Sequence, residues 1–237
     1  LTADDLSHQL ARSVQFLGNP FMDPVLSPTS LLTNTQPRIG LLPGSRRPEL
    51  EANLQLLLRL SDQLPDNNGI SLELALVSSL DDTGLERCAN GVGWQLRDGL
   101  LQRQGSPAVR VRRGAFQTVL QQSDLVISMA GTAAEQAVGL AKPVLQLPGQ
   151  GPQFTASFAE AQRRLLGPTV FCAPGDSGSQ DNLFASAELA LKLLKRIHHD
   201  LDFQKQCHTE AQRRLGSSGG GLRMASAIGG LCPSTAP

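Results

Sequence analysis

The chain has 237 residues, 40% hydrophobic and 18% charged, a globular composition that argues against disorder. Its 21 basic and 21 acidic side chains cancel, so no global field draws it to nucleic acid or to an anionic membrane. Aromatic residues make up 4% and Tyr is absent, which disfavours a base-stacking surface and leaves Leu, Ala and Val to fill the interior.

Residues 3–13 have a helical pattern, and Val14 to Pro20 read as a short strand ending in a turn. Residues 24–37 are rich in Pro, Ser and Thr and form a connector. Arg38 to Leu42 is a strand stopped by Pro43-Gly44, and the leucines from Leu50 to Leu64 recur at helical spacing. A turn at residues 65–69 leads to a buried strand from Ser71 to Val77. Leu85 to Gly105 shows no readable period. Ala108 to Arg112 is a strand, and Gly114-Ala115-Phe116 opens a short helix to Gln122. Leu125 to Ser128 is a strand, followed after Met129-Ala130-Gly131-Thr132 by a helix to Leu140. Pro143 to Leu147 is the next strand, and a Gly/Pro loop from Pro148 enters a helix ending near Leu166. Thr169 to Cys172 is the last strand, and one long helical region runs from Asp181 towards Leu215. Ser217 to Gly221 is a hinge, followed by a short helix from Leu222 to Ile228 and a Pro/Ser/Thr tail.

Short apolar strands alternating with helices of ten or more residues define an α/β protein with a Rossmann-like, doubly wound, mostly parallel sheet. Three segments follow: a linker over 1–36, a Rossmann-like domain over 37–215, and a hinge, helix and tail over 216–237. Cys88, Cys172, Cys207 and Cys232 have no Cys-x-x-Cys spacing, so neither a disulfide framework nor a zinc site is expected and a reducing, cytoplasmic setting is the plain reading. No apolar run approaches the roughly 20 residues of a membrane span, and no signal peptide is visible. The first residue is Leu1 rather than Met, and the expectation is a piece of a longer chain.

Ligands of open α/β sheets bind beyond the carboxyl ends of the strands, where loops enter helix N-termini. Pro43-Gly44-Ser45-Arg46-Arg47 is such a loop. Gly44 permits close backbone approach, Ser45 can cap the helix or contact an oxygen, and the planar fork of Arg46 suits phosphate. The competing reading is a solvated basic turn. Ser128 to Glu135 is a second such loop, with Gly131 small, Thr132 a helix cap, and Glu135 or Gln136 placed to accept from a ribose diol. Its competing reading is a carboxylate complementing the helix dipole. A third loop offers Gln150 and Gln153, whose amides suit sugar hydroxyls, or an ordinary exposed connection. The chain has no Gly-x-x-x-x-Gly-Lys-Ser/Thr, Gly-x-Gly-x-x-Gly or His-Glu-x-x-His motif. His198-His199-Asp200 with Asp202 reads as a solvated helix face, because neighbours two apart diverge.

The segments Gly18-Asn19-Pro20-Phe21-Met22-Asp23, Leu41-Leu42-Pro43-Gly44-Ser45-Arg46-Arg47-Pro48-Glu49, Ala130-Gly131-Thr132-Ala133-Ala134-Glu135-Gln136-Ala137 and Lys142-Pro143-Val144 together resemble the lipid-A-disaccharide synthase family. The resemblance is closer to proteins related to that synthase, and it covers roughly residues 14–215. It implies the carboxy-terminal, nucleotide-sugar-binding half of a two-domain GT-B glycosyltransferase. The acceptor site and general base would lie in an amino-terminal domain of the same protein. Gly44, Ser45, Arg46, Gly131 and Thr132 would contact the diphosphate of a UDP-sugar, Glu135 the ribose, and Phe116 the uracil. The family has His where Asn19 stands, and its helix acid aligns without gaps to Gln136. The implied transfer needs no metal or cofactor. The partners are a UDP-sugar donor and the acceptor domain, without nucleic acid or a membrane span, and peripheral contact of the complete enzyme with a membrane stays open. Two other readings remain. One is a UDP-sugar 2-epimerase of the same fold, although His8, His198, His199 and His208 all fall outside the candidate loops. The other is a non-catalytic nucleotide-binding module. The central expectation is that the corners at Gly44 and Gly131 converge to clasp a pyrophosphate.

Overall fold

The computed structural model describes residues 15–24, 36–66, 69–149 and 155–231. The helix expected over 3–13, most of the connector, Gln150, Gln153 and the tail from Cys232 lie outside the described residues.

A single 3-10 turn at Pro20–Met22 precedes β1 (Arg38–Leu42), α1 (Glu49–Ser61), β2 (Ser71–Leu76) and α2 (Asp82–Asn90). Then come β3 (Gln95–Arg97), β4 (Leu100–Gln102), β5 (Val109–Arg113), α3 (Phe116–Gln122), β6 (Leu125–Ser128) and α4 (Gly131–Gly139). The chain continues through β7 (Val144–Gln146), α5 (Ala156–Leu166), β8 (Val170–Cys172), α6 (Gln180–His199), α7 (Leu201–Arg214) and α8 (Gly220–Leu231).

The strands form one sheet in the order β3-β4-β5-β2-β1-β6-β7-β8. From β5 to β8 every pairing is parallel, while β3 and β4 form an antiparallel hairpin on the β5 edge. Counting the parallel strands alone in chain order gives 3-2-1-4-5-6, the doubly wound arrangement whose direction of winding reverses between the first and fourth strands. Here that switch point lies between β1 and β6.

Side chains alternate across the sheet and divide the core in two. Ile39, Leu41, Leu72, Leu74, Leu125 and Ile127 face α1 and α6, where Leu50, Leu54, Leu57 and Leu193 meet them. On the other face Leu42, Ala75, Val126 and Val144 pack beneath Val119 and Leu120 of α3 and Ala134 and Ala137 of α4. Glu73 is buried on this second face, and Arg38 and Arg112 from the flanking strands approach it at 3.9 and 3.2 Å.

Four details depart from the sequence reading. Residues 15–19 are not a strand: no sheet edge receives them, and Asn19 instead donates its amide to Leu215 O at 2.8 Å. The unreadable stretch resolves into α2 and the β3–β4 hairpin, turned by Asp98 and Gly99, both at positive φ. The long helical region is two helices, because Asp200 leaves helical geometry and its carboxylate accepts from Phe203 N at 2.9 Å, capping α7. The last helix starts inside the expected hinge, because the Asp23 carboxylate accepts from the amides of Gly219, Gly220 and Gly221 at 2.7, 3.0 and 2.9 Å.

Candidate functional site

The site is built where β1 and β6 end. These strands pair in parallel with Leu42 opposite Ser128, so the chain leaves both at one level. Met129 donates its amide to Leu42 O at 2.9 Å, tying the second exit to the first. Gly44 then turns at φ +95°, a left-handed geometry that glycine adopts without strain. A Cβ built on Gly44 would lie 3.8 Å from both Ala130 Cβ and Met129 O, so the two corners touch. Close packing also explains Gly131, where a Cβ would stand 3.1 Å from Gln162 Nε2 and 3.8 Å from the Phe158 ring.

Beside the joined corners lies a cavity of about 490 Å³. Pro43, Gly44, Ser45 and Arg46 line one side, Ala130, Gly131 and Thr132 another, and Gly114 with Phe116 a third. Three helices begin at this cavity, and none has a side-chain cap. Pro48 precedes α1, Ala115 precedes α3 and Ala130 precedes α4. By contrast Asp81, Thr155, Ser179 and Asp200 cap α2, α5, α6 and α7 through side-chain oxygens. Ser45 and Thr132, expected as caps, do not serve as such. Ser45 lies ahead of the Pro48 cap position and Thr132 already belongs to the first turn of α4, so both line the cavity instead. In α1 the amides of Leu50 and Glu51 are taken by Arg46 O at 2.8 Å and Pro48 O at 3.3 Å, so it is chiefly the opening of α4, with the positive end of its dipole, that forms a ready anion-binding feature beside the Gly44 corner.

Arg46 lines the cavity at the surface, whereas Arg47 turns along α1 and donates from Nε to Glu51 Oε1 at 2.8 Å. Gln136 reaches the cavity from one turn into α4, on the face of Thr132, as positions four apart require. Its Nε2 also donates to Phe21 O at 2.8 Å. Glu135 is rotated by one residue around the helix. It does not line the cavity and hydrogen-bonds with Asn19 instead. Burial pushes the Glu135 carboxyl above its ordinary value, and the Asn19 contact draws it partly back.

The cavity wall also holds Glu49, Asn53 and Phe158, which the sequence reading missed. Glu49 and Asn53 are one turn apart on α1. The visible signal for Asn53 was an amide among the leucines of an apolar helix face. Phe158 comes from α5, whose approach to α4 no local pattern announces.

His198, His199 and His208 lie on α6 and α7 and none lines the cavity. His198 stands 3.5 Å from Asp124, and Asp200 is committed to its cap. No group of three or more potential metal ligands occurs among the described residues, and no described helix is long and apolar enough to cross a membrane.

No protein-family profile matches the sequence, and no curated protein sequence is significantly similar to it. Solved structures are similar in fold. The calicheamicin glycosyltransferase CalG4 superposes with a TM-score of 0.59 at 16% identity, over 98% of this chain and 53% of its own. A Listeria monocytogenes protein assigned as a UDP-N-acetylglucosamine 2-epimerase gives 0.56 at 17% identity, over 92% and 55%. S. aureus MnaA, solved with UDP, gives 0.55 at 14% identity, over 97% and 58%. The fold is therefore a Rossmann-like α/β domain of the GT-B kind. The chain spans about half the length of the structures it matches.

Proposed function

We propose that this chain is the carboxy-terminal, donor-binding half of a glycosyltransferase that resembles lipid-A-disaccharide synthase. The complete enzyme would transfer a hexosyl group from a UDP-N-acetylglucosamine-type donor to a lipid-linked or other acceptor. One observation carries this reading: two glycine-containing corners that lead into uncapped helices meet at the switch point of the sheet, beside a cavity of nucleotide size.

In this reading the amides of the Gly44 corner at residues 44–46 and those opening α4, Ser45, Thr132 and the guanidinium of Arg46 hold the diphosphate. Phe116 lies against the uracil and Gln136 accepts from the ribose. A base contributed by the other half takes the proton of the acceptor hydroxyl. The hydroxyl oxygen attacks the anomeric carbon, and the bond from that carbon to the diphosphate oxygen breaks with its electron pair leaving on UDP. Helix-end amides and Arg46 stabilise the charge that develops on the leaving group. The acceptor domain, the lipid-linked acceptor and any approach to a membrane surface belong to the complete protein.

A UDP-sugar 2-epimerase is the second reading, favoured by the likeness to the Listeria protein. Epimerisation calls for acid and base groups around the sugar, and Glu49 is the single carboxylate lining the cavity among the described residues. The test is incubation of the complete protein with UDP-N-acetylglucosamine. Release of UDP that depends on an acceptor supports transfer, whereas appearance of the epimer supports the second reading. The 237-residue chain alone is expected to bind UDP without turnover. Turnover by this chain would refute the half-enzyme assignment, and failure to bind UDP would refute both enzymes.

A further inference from the structure

The buried face of α1 carries Leu50, Leu54, Leu57 and Leu58, and among them Asn53 at 1% exposure. Its Nδ2 donates to Pro43 O at 2.9 Å, within the interior. Its Oδ1 is buried and has no hydrogen-bond partner. An unpaired amide oxygen in apolar surroundings is unfavourable, and a leucine of similar volume would match its neighbours. A polar side chain kept there against that tendency points to the bond it does make.

That bond falls on the peptide joining Pro43 to Gly44. A peptide is planar, and in the trans form its C=O and N–H point in opposite directions. Holding the Pro43 oxygen against Asn53 therefore directs the Gly44 N–H away from the interior of α1. The next residue has a left-handed φ that glycine leaves soft, so without such an anchor the corner has several geometries open to it. Only a donor can meet a carbonyl oxygen, which fixes the orientation of the carboxamide and explains why its oxygen is the unpaired atom.

We propose that Asn53 is a positioning residue of the anion-binding corner, acting through the Pro43 carbonyl to set the direction of the Gly44 amide. The inference rests on the reading of that corner as a diphosphate site. Although Asn53 is part of the cavity wall, the role proposed here is the indirect one, through the Pro43 carbonyl. Its influence is confined to ligands that carry the diphosphate.

The test titrates the wild type, Asn53→Leu and Asn53→Asp with UDP and with uridine, and follows amide exchange at residues 44–46 without ligand. Leucine removes the donor and suits the packing; aspartate keeps the shape but turns the donor into an acceptor. In both variants the UDP dissociation constant is expected to rise about tenfold, the scale of one lost hydrogen bond, while that of uridine stays within about twofold. Amides 44–46 are expected to exchange faster in both. Equal weakening of UDP and uridine would indicate general damage and overturn the role, as would unchanged UDP affinity in variants of a wild type that binds UDP. A wild type that binds no UDP would overturn the diphosphate reading itself, and this role with it.

Discussion

Replacing Gly44 by Ala isolates the backbone geometry of the first corner. The added Cβ would stand 3.8 Å from Ala130 Cβ and Met129 O, ordinary contact distances, so sterics contribute almost nothing. What remains is φ +95°, which a residue with a Cβ adopts only under strain of about 1–3 kcal/mol. For a chain of this size each kcal/mol lowers the melting temperature by about 2–4 °C. The strain is relieved most readily by rotating the corner, which turns its amides away from the cavity, so UDP affinity should fall by about tenfold or more, on the scale of a lost hydrogen bond. Gly105→Ala is the control. Gly105 has φ +79° with nothing within 4 Å of a built Cβ, and it lies in the loop between β4 and β5, outside the cavity lining. Calorimetric titration with UDP, paired with thermal unfolding, separates the effects. Similar destabilisation in both variants with loss of binding in Gly44→Ala alone is the expected result. Equal UDP affinity in the two would refute the assignment of the Gly44 corner.

Arg46→Ala should weaken UDP binding by about 1.5–3 kcal/mol, the range for a hydrogen bond to a charged group, with little effect on stability; Arg47→Ala, whose guanidinium is engaged by Glu51, should leave titration curves nearly unchanged. The backbone amides of Gly221, Gly219 and Gly220 hold the Asp23 carboxyl below its ordinary value of 3.8. A depressed folded-state value stabilises above the unfolded value and is lost as pH falls through the folded one, so α8 should loosen only below about pH 4. Amide exchange at residues 219–221, compared between about pH 6 and about pH 3 after correction for intrinsic rates, checks this, and equal protection at both would contradict it. Leu57→Ala, at a fully buried position between α1 and the sheet, should cost about 2–5 kcal/mol in urea unfolding while the folded fraction retains its UDP affinity.

The parallel strands were legible because strands covered on both faces are written as continuous apolar runs, as in Leu125-Val126-Ile127. The β3–β4 hairpin was not, since three residues such as Gln95-Leu96-Arg97 carry no period. Its one local signal was Asp98-Gly99, a dipeptide suited to two left-handed turn positions. Asp200 hid a helix boundary inside a polar stretch because its capping role depends on where α6 stops. At the site, the loops around Gly44 and Gly131 could be read as strand-to-helix corners. Their contact follows from the placement of β1 beside β6, a tertiary fact. The same holds for Gln136 and Glu135: one residue of helical rotation puts Gln136 on the cavity and Glu135 against Asn19, and the docking angle of α4 decides between them. Asn53 is polar on an apolar face for a reason that only the position of the Pro43 carbonyl reveals.

Crystals of the chain grown with UDP offer the most direct measurement. Diphosphate oxygens are expected within hydrogen-bonding distance of backbone amides at residues 44–46 and 131–132, with the Arg46 guanidinium closing over them. A nucleotide lodged away from the junction of β1 and β6, or with its phosphates directed into solvent, would contradict that expectation.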